Sequence, residues 1–251
     1  MEVDADEVET TDPPPLQEDV LRATWSVRGA IVVFASGYAV GAVLRVLLGG
    51  SVASPIARAA GPAVVELSWT IALLLWLRIR HPAWPSAMGV PQRPWAEVRE
   101  GTVFGFILYG IVALGVAWPL GRLLNVISNE DVRAPEQISL QRPALAVLVS
   151  VLFTVVVAPV AEELFFRGVL FLALRDRYGF GVATAGSAVG FAFVHWVPGG
   201  TLANLVVVIA SAAMGIGLAI LYESRKDILA PLAAHAAFNL LGLAVLVRTA
   251  I

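Results

Sequence analysis

Apolar residues in this chain run together rather than recurring at the spacing of a half-buried helix or strand. The apolar stretches cover roughly 28–48, 62–79, 101–121, 143–161, 164–174, 181–197, 201–222 and 228–248. A stretch of about 17–25 residues crosses a hydrocarbon core as a helix, whereas the ~10-residue alternating strands of an outer-membrane barrel do not occur here. The pattern predicts an all-α fold, a polytopic transmembrane bundle of about seven to eight membrane helices.

The fifth stretch is too short to span and is separated from the fourth only by Glu162 and Glu163. One helix over 143–175, bent near Pro159, accounts for both, because proline removes a backbone hydrogen bond and crowds the preceding turn. Charge placement agrees. Arg78, Arg80, Arg93 and Arg99 put the loop after the second span on the cytoplasmic side, and the N-terminus with it. With the joined helix, Arg175, Arg177, Arg225 and Lys226 fall on that side too. Two separate crossings would turn Arg175 and Arg177 outward and invert every later loop. The expectation is seven spans with the N-terminus cytoplasmic, in a cell membrane, most simply a bacterial inner membrane. The external loop 122–142 carries Arg122, Arg133 and Arg142 among Glu130, Asp131 and Glu136, which weakens the bias.

Composition sharpens this picture. Of 251 residues, 58% are hydrophobic and only 14% charged, and the mean hydropathy of +0.80 lies far above the soluble range. Eight of the 19 acidic residues fall within the first 19 positions with no base among them, leaving the rest of the chain with 17 basic residues against 11 acidic ones. Residues 1–24 therefore read as an acidic disordered tail and 25–251 as a single transmembrane domain. The tail lacks a signal peptide's basic n-region, so the first apolar run is expected to stay as an anchor. With no cysteine, disulfides, thiolate metal sites and cysteine nucleophiles are excluded. No basic groove or aromatic platform points to nucleic acid. Trp25, Trp84, Trp95 and Trp118 fall near predicted span ends, as an interfacial belt would. Gly37/Gly41, Gly101/Gly105 and Gly186/Gly190 have the spacing that lets helices approach closely.

Ionisable residues at membrane depth are the candidates for chemistry, since burying them costs several kcal/mol unless they are paired or face water. His81 precedes Pro82 in a basic loop and reads as a surface residue. His195 and His235 lie within predicted spans. At about 1.5 Å per residue from the cytoplasmic ends, Glu162 lies about 20 Å deep, His195 about 22 Å, His235 about 12 Å and Asn239 about 18 Å. In the joined-helix topology these four side chains converge from three helices. Glu163 and Arg167 are spaced i, i+4 and can form a structural ion pair. Glu162 lies about 100° round the helix and has no such partner, which leaves it available as a general base. Glu66, at the start of the second span, is expected near the outer surface and is assigned no role.

Three short motifs carry a resemblance. They are EELFFR at Glu162–Arg167, FAFVH at Phe191–His195 and HAAFN at His235–Asn239. The set E-E-x-x-x-R, F-x-x-x-H and H-x-x-x-N, in that order on successive membrane helices, resembles the CAAX prenyl endopeptidase and bacteriocin-processing (CPBP, Abi-type) family of intramembrane proteases. The resemblance covers about 143–245, the expected catalytic core; the first three spans match in hydropathy only. It implies glutamate-type peptidase chemistry without cofactor or metal. Glu162 would take a proton from a water held with His195, the water would attack the scissile carbonyl, and His235 and Asn239 would face the oxyanion. Glu163 and Arg167 would hold the motif helix. The implied substrate is a peptide or membrane protein, with or without a lipid, and the bilayer is the other partner.

Rival readings use the same residues. Glu162, His195 and His235 could be three zinc ligands, although H-E-x-x-H is missing. Buried Glu and His also make proton relays in transporters, but no clear inverted repeat appears. A non-proteolytic scaffold or immunity protein of the same family is a third alternative. Ser187 lies two turns from His195 on one helix and lacks a G-x-S-x-G setting, and no paired intramembrane Asp is present, which argues against serine and aspartyl chemistry.

Overall fold

The computed structural model describes residues 21–48, 55–89, 91, 93–126, 144–196 and 201–250. Among them the chain forms helices and no strand: α1 (Val27–Leu48), α2 (Pro55–Arg80), the short α3 (Trp84–Ala87), α4 (Pro94–Leu123), α5 (144–178), α6 (Phe180–Val194), α7 (Leu202–Arg225) and α8 (Leu229–Ala250). α1, α2, α4, α5 and α7 contain spans long and apolar enough to cross a membrane, while α6 and the 229–245 part of α8 are shorter apolar helices. The expected all-α membrane bundle is what the chain forms. The acidic residues of the first 19 positions, and Glu130, Asp131, Arg133, Glu136 and Arg142, lie outside the described residues.

Residues 144–178 are one continuous helix, so the two glutamates stand in mid-helix. The bend anticipated near Pro159 takes the form of wider π turns, at Phe153–Val157 just before the proline and again at Leu164–Phe171. α4 does the same at Ala113–Ala117, ahead of Pro119. A proline has no N–H to offer and crowds the turn before it, and a local π adjustment relieves both problems inside apolar surroundings.

Glycines set the helix crossings. A Cβ at Gly37 or Gly41 would lie 2.4 or 2.7 Å from the Cα of Trp69 or Val65 on α2. At Gly101 and Gly105 it would lie 2.3 and 2.1 Å from the carbonyl oxygens of Ala230 and Ala234 on α8. Such backbone approach is available only to the smallest residues. Gly186 and Gly190 differ, for they admit the side chains of Leu174 and Leu170 rather than a neighbouring backbone.

One end of the bundle is latched by ion pairs. Arg225 grips Glu97 through Nε and Nη2 at 2.7 and 2.6 Å and reaches Glu100 at 2.8 Å; Arg175 pairs with Glu223 at 2.7 Å, and Lys226 joins the same carboxylate. Arg175 also donates to the Leu21 carbonyl, and the Ala23 N–H donates to Asp176, which ties residues 21–23 to α5. Asp227 caps α8 by accepting from the Leu229 and Ala230 N–H groups; burial and the adjacent Glu97 carboxylate hold its carboxyl above the usual range. The arginines read as one topological side thus cluster at one end.

Two side chains depart from expectation. Trp25 is buried and donates its indole N–H to the Val169 carbonyl at 2.9 Å, so it packs inside the bundle while Trp95 and Trp118 stay exposed. His81 is half-buried against Trp25 and Trp76, with ring centroids 5.7 and 4.8 Å away, and shares a hydrogen bond with Thr24. Burial and Arg80 hold its imidazole below the usual histidine range.

Because α8 is positioned through Gly105, Gly105→Ala is expected to lower the thermal unfolding midpoint in detergent by several degrees. Gly110→Ala, one and a half turns further along α4 with nothing within 4 Å of the new Cβ, is expected to leave it unchanged.

Candidate active site

Adjacent positions on a helix point about 100° apart, and Glu162 and Glu163 accordingly face different surroundings. The Glu163 side chain is fully buried, and its Oε1 accepts from Arg167 Nη1 at 2.8 Å and from His235 Nδ1 at 2.7 Å. Arg167, also without exposure, donates through Nη2 to the Gly215 carbonyl at 3.1 Å, and its guanidinium lies 4.8 Å from the centroid of Phe191. Further hydrogen bonds make a buried ion pair tolerable, and here they come from α7 and α8, while Glu163 Oε2 and Arg167 Nε are buried without one.

These contacts fix the histidines. A carboxylate paired with arginine can only accept, so His235 Nδ1 carries a proton and Nε2 is turned toward Glu162, 3.5 Å from its Oε2. His195 stands at the C-terminal cap of α6, where its Nδ1 donates to the Phe191 carbonyl at 2.8 Å and leaves Nε2 as its second nitrogen. Phe191 packs between the rings, with centroids 4.8 Å from His195 and 5.6 Å from His235. Asn204 of α7 donates to the His195 carbonyl at 3.1 Å and joins that end of α6 to α7.

Asn239 donates through Nδ2 to the Thr154 carbonyl at 2.9 Å. Thr154 lies in the π turn before Pro159, and in π register its carbonyl would be served by the N–H of residue 159. Proline has none. The asparagine side chain supplies the missing donor, and its remaining N–H is free for other work.

Glu162, His195, His235 and Asn239 all line one cavity of about 570 Å³, whose walls run from Trp69, Phe166 and Phe191 to Arg45 and Pro62 at the end of the bundle opposite the ion-pair latch. Glu163 and Arg167 stand behind the wall. Glu66 of α2 lines the cavity as well. It is the single acidic residue of its apolar stretch, and the intramembrane-charge argument applied to Glu162 would have found it. Ser187 is buried and donates to the Phe166 carbonyl at 2.9 Å, holding α6 to α5. Among the described residues, no three His, Asp or Glu side chains are grouped as ligands for a metal ion.

Comparison with known proteins meets the geometry at this point. Residues 144–241 match the family model described as Type II CAAX prenyl endopeptidase Rce1-like. A Bacillus subtilis (strain 168) protein named "Putative membrane peptidase YdiL" is 34% identical over 94 residues, covering 38% of this chain and 36% of that protein. The match thus spans about a third of the length of that curated relative. No solved structure matches. The matched residues contain all three motifs, and the match supports the CPBP family that those motifs resemble.

The two glutamates predict different stabilities. Glu163→Gln leaves the Arg167 charge buried without its counter-ion and is expected to cost about 3–5 kcal/mol, seen as poor membrane insertion or a lower thermal midpoint. Glu162→Gln, at the cavity wall, is expected to change that midpoint little.

Proposed function

We propose that this protein is an intramembrane endopeptidase that hydrolyses a peptide bond with a water activated by Glu162 and His195. The reading is carried by one observation: Glu162, His195, His235 and Asn239, drawn from three helices of an apolar bundle, line a single cavity. The family match of residues 144–241 supports it at the level of a CAAX-type membrane protease.

In this mechanism the Glu162 carboxylate accepts a proton from the water while the water oxygen bonds to the scissile carbonyl carbon. His195 presents Nε2 to the same water, its Nδ1 being committed to the Phe191 carbonyl. The oxyanion is met by His235 and Asn239. His235 would face it through Nε2, its Nδ1 being committed to Glu163. When the C–N bond breaks, Glu162 returns the proton to the amine. The substrate is a peptide or membrane-protein segment reaching the cavity from the bilayer or from its open end.

The protein lies in a cell membrane with its N-terminus and latched end cytoplasmic, following the arginine distribution. The cavity then reaches the opposite face. In this cysteine-free chain, a reagent that cannot cross membranes should modify Tyr178→Cys from the cytoplasmic side only and Arg45→Cys from the other side only. Modification of both from one side would overturn the orientation or the joined helix.

For the chemistry, Glu162→Gln in proteoliposomes is expected to lower turnover of a cleaved peptide by at least about 10²-fold, the usual share of a general base, with the fold intact. Activity should survive chelation. Loss in chelator with recovery on adding zinc would replace this mechanism by a metal-dependent one, and peptide bound but uncleaved by the native protein would point to a scaffold.

A further inference from the structure

The end of the bundle that carries the ion-pair latch also carries arginines that no carboxylate meets. Arg22, Arg28, Arg78, Arg80, Arg93 and Arg177 are exposed, and among the described residues none of them has an acidic partner. The acids of that end are already engaged: Glu97 and Glu100 hold Arg225, Glu223 holds Arg175 and Lys226, and Asp176 accepts from the Ala23 N–H. In a chain whose formal net charge is -2, the acids that would balance these cations lie elsewhere. They lie in the segment ahead of Leu21, which holds eight of the 19 acidic residues and no base.

The root of that segment is fixed on the same face. The Leu21 carbonyl accepts from Arg175, the Ala23 N–H donates to Asp176 at 2.7 Å, Thr24 shares a hydrogen bond with His81, and the Trp25 indole is bonded to the Val169 carbonyl. Arg177 follows Asp176 and Arg80 precedes His81, so the strap 21–25 runs from the neighbourhood of one unpaired arginine to that of another. The preceding residues, at about 5–6 Å × √n, reach roughly 25 Å from this root. That crosses a face whose helices pack about 8–10 Å apart. One exposed ion pair contributes little, and salt screens charges beyond about 8 Å at physiological ionic strength. The tether changes the outcome, because it holds eight carboxylates at high effective concentration beside six cations and lets several weak pairs act together.

We propose that the acidic segment 2–19 docks on the arginine face at the latched end of its own bundle, its carboxylates serving the six arginines. Anionic lipid headgroups are drawn to the same kind of surface. The segment is favoured over them because it is attached, and because undocked it would lie against the negative charge of a cytoplasmic leaflet. The docking uses no residue of the cavity and stands apart from the proposed peptidase chemistry.

Spin labels at Val8→Cys and Ser86→Cys in the full chain, which has no other cysteine, allow their separation to be measured by pulsed electron paramagnetic resonance. Ser86 is exposed on α3, in the loop between Arg80 and Arg93. In detergent and in phosphatidylcholine vesicles at low ionic strength, a narrow short-distance population is expected. It should broaden and lengthen at about 1 M salt, where the screening length falls to about 3 Å. Replacing the eight acids by Asn and Gln should do the same, as should Arg78→Gln, Arg80→Gln and Arg93→Gln together. If that triple variant fails to insert, the acid replacements decide, since they leave the bundle untouched. A broad distribution indifferent to salt and to the acids would overturn the docking. So would a short distance that vanishes on dilution with unlabelled protein, because the segment then sits on a second copy. A short distance present in phosphatidylcholine but lost in vesicles containing phosphatidylglycerol would also overturn it, giving the arginines to lipid headgroups.

Discussion

Burying the Arg167 guanidinium is the constraint on which the core depends. An arginine without exposure inside an apolar bundle needs partners on several sides, and the sequence supplies each from a different helix: Glu163 within α5, the Gly215 carbonyl on α7 and the Phe191 ring on α6. Glu163 then passes the constraint to His235 on α8. Four helices are thereby held in one arrangement by directional contacts, which apolar packing against lipid-like neighbours would not specify by itself. The carbonyl can be reached because Gly215 lets α6 and α7 close in, a Cβ there falling 3.0 Å from the Ala188 Cα.

A second constraint comes from the backbone. Pro159 removes an N–H where no water is at hand, and the widened turn leaves the Thr154 carbonyl to be met by Asn239. The asparagine of the third motif is therefore bound to the helix that carries the first. Placement of His235 and Asn239 on one face of α8, a turn apart, serves both ends of this arrangement, with Glu163 drawing one and Thr154 the other. The same contacts that make α8 fit α5 aim its polar residues at the cavity, so stability and site geometry have a common origin.

The helical class, the joined helix over Pro159 and the Glu163–Arg167 spacing were legible in the sequence, because each rests on local periodicity or on the cost of charge at depth. The gathering of Glu162, His195, His235 and Asn239 was legible only through counting depth along three helices. What escaped were contacts set by tertiary packing between distant segments. Trp25 looked interfacial until its indole was seen bonded to Val169, 144 residues away. Glu66 looked peripheral because the cavity that it lines together with Glu162 of α5, nearly a hundred residues on, is formed by tertiary packing that one carboxyl in an apolar run does not announce.

The two ends of the bundle are built for different work. At the latched end Arg225 binds Glu97 and Glu100 of α4, Arg175 and Lys226 share Glu223 of α7, and Asp227 caps α8 beside them. Pairs in which one charge meets two partners resist separation better than isolated surface pairs. At the opposite end Arg45 is exposed on the cavity wall, and the walls between it and Glu162 are largely aromatic and aliphatic. Helices clamped at one end by directional contacts can part at the other without unmaking them. The proposed entry of a peptide from within the bilayer would need that asymmetry, because the polar residues must keep their geometry while the apolar walls around them give way.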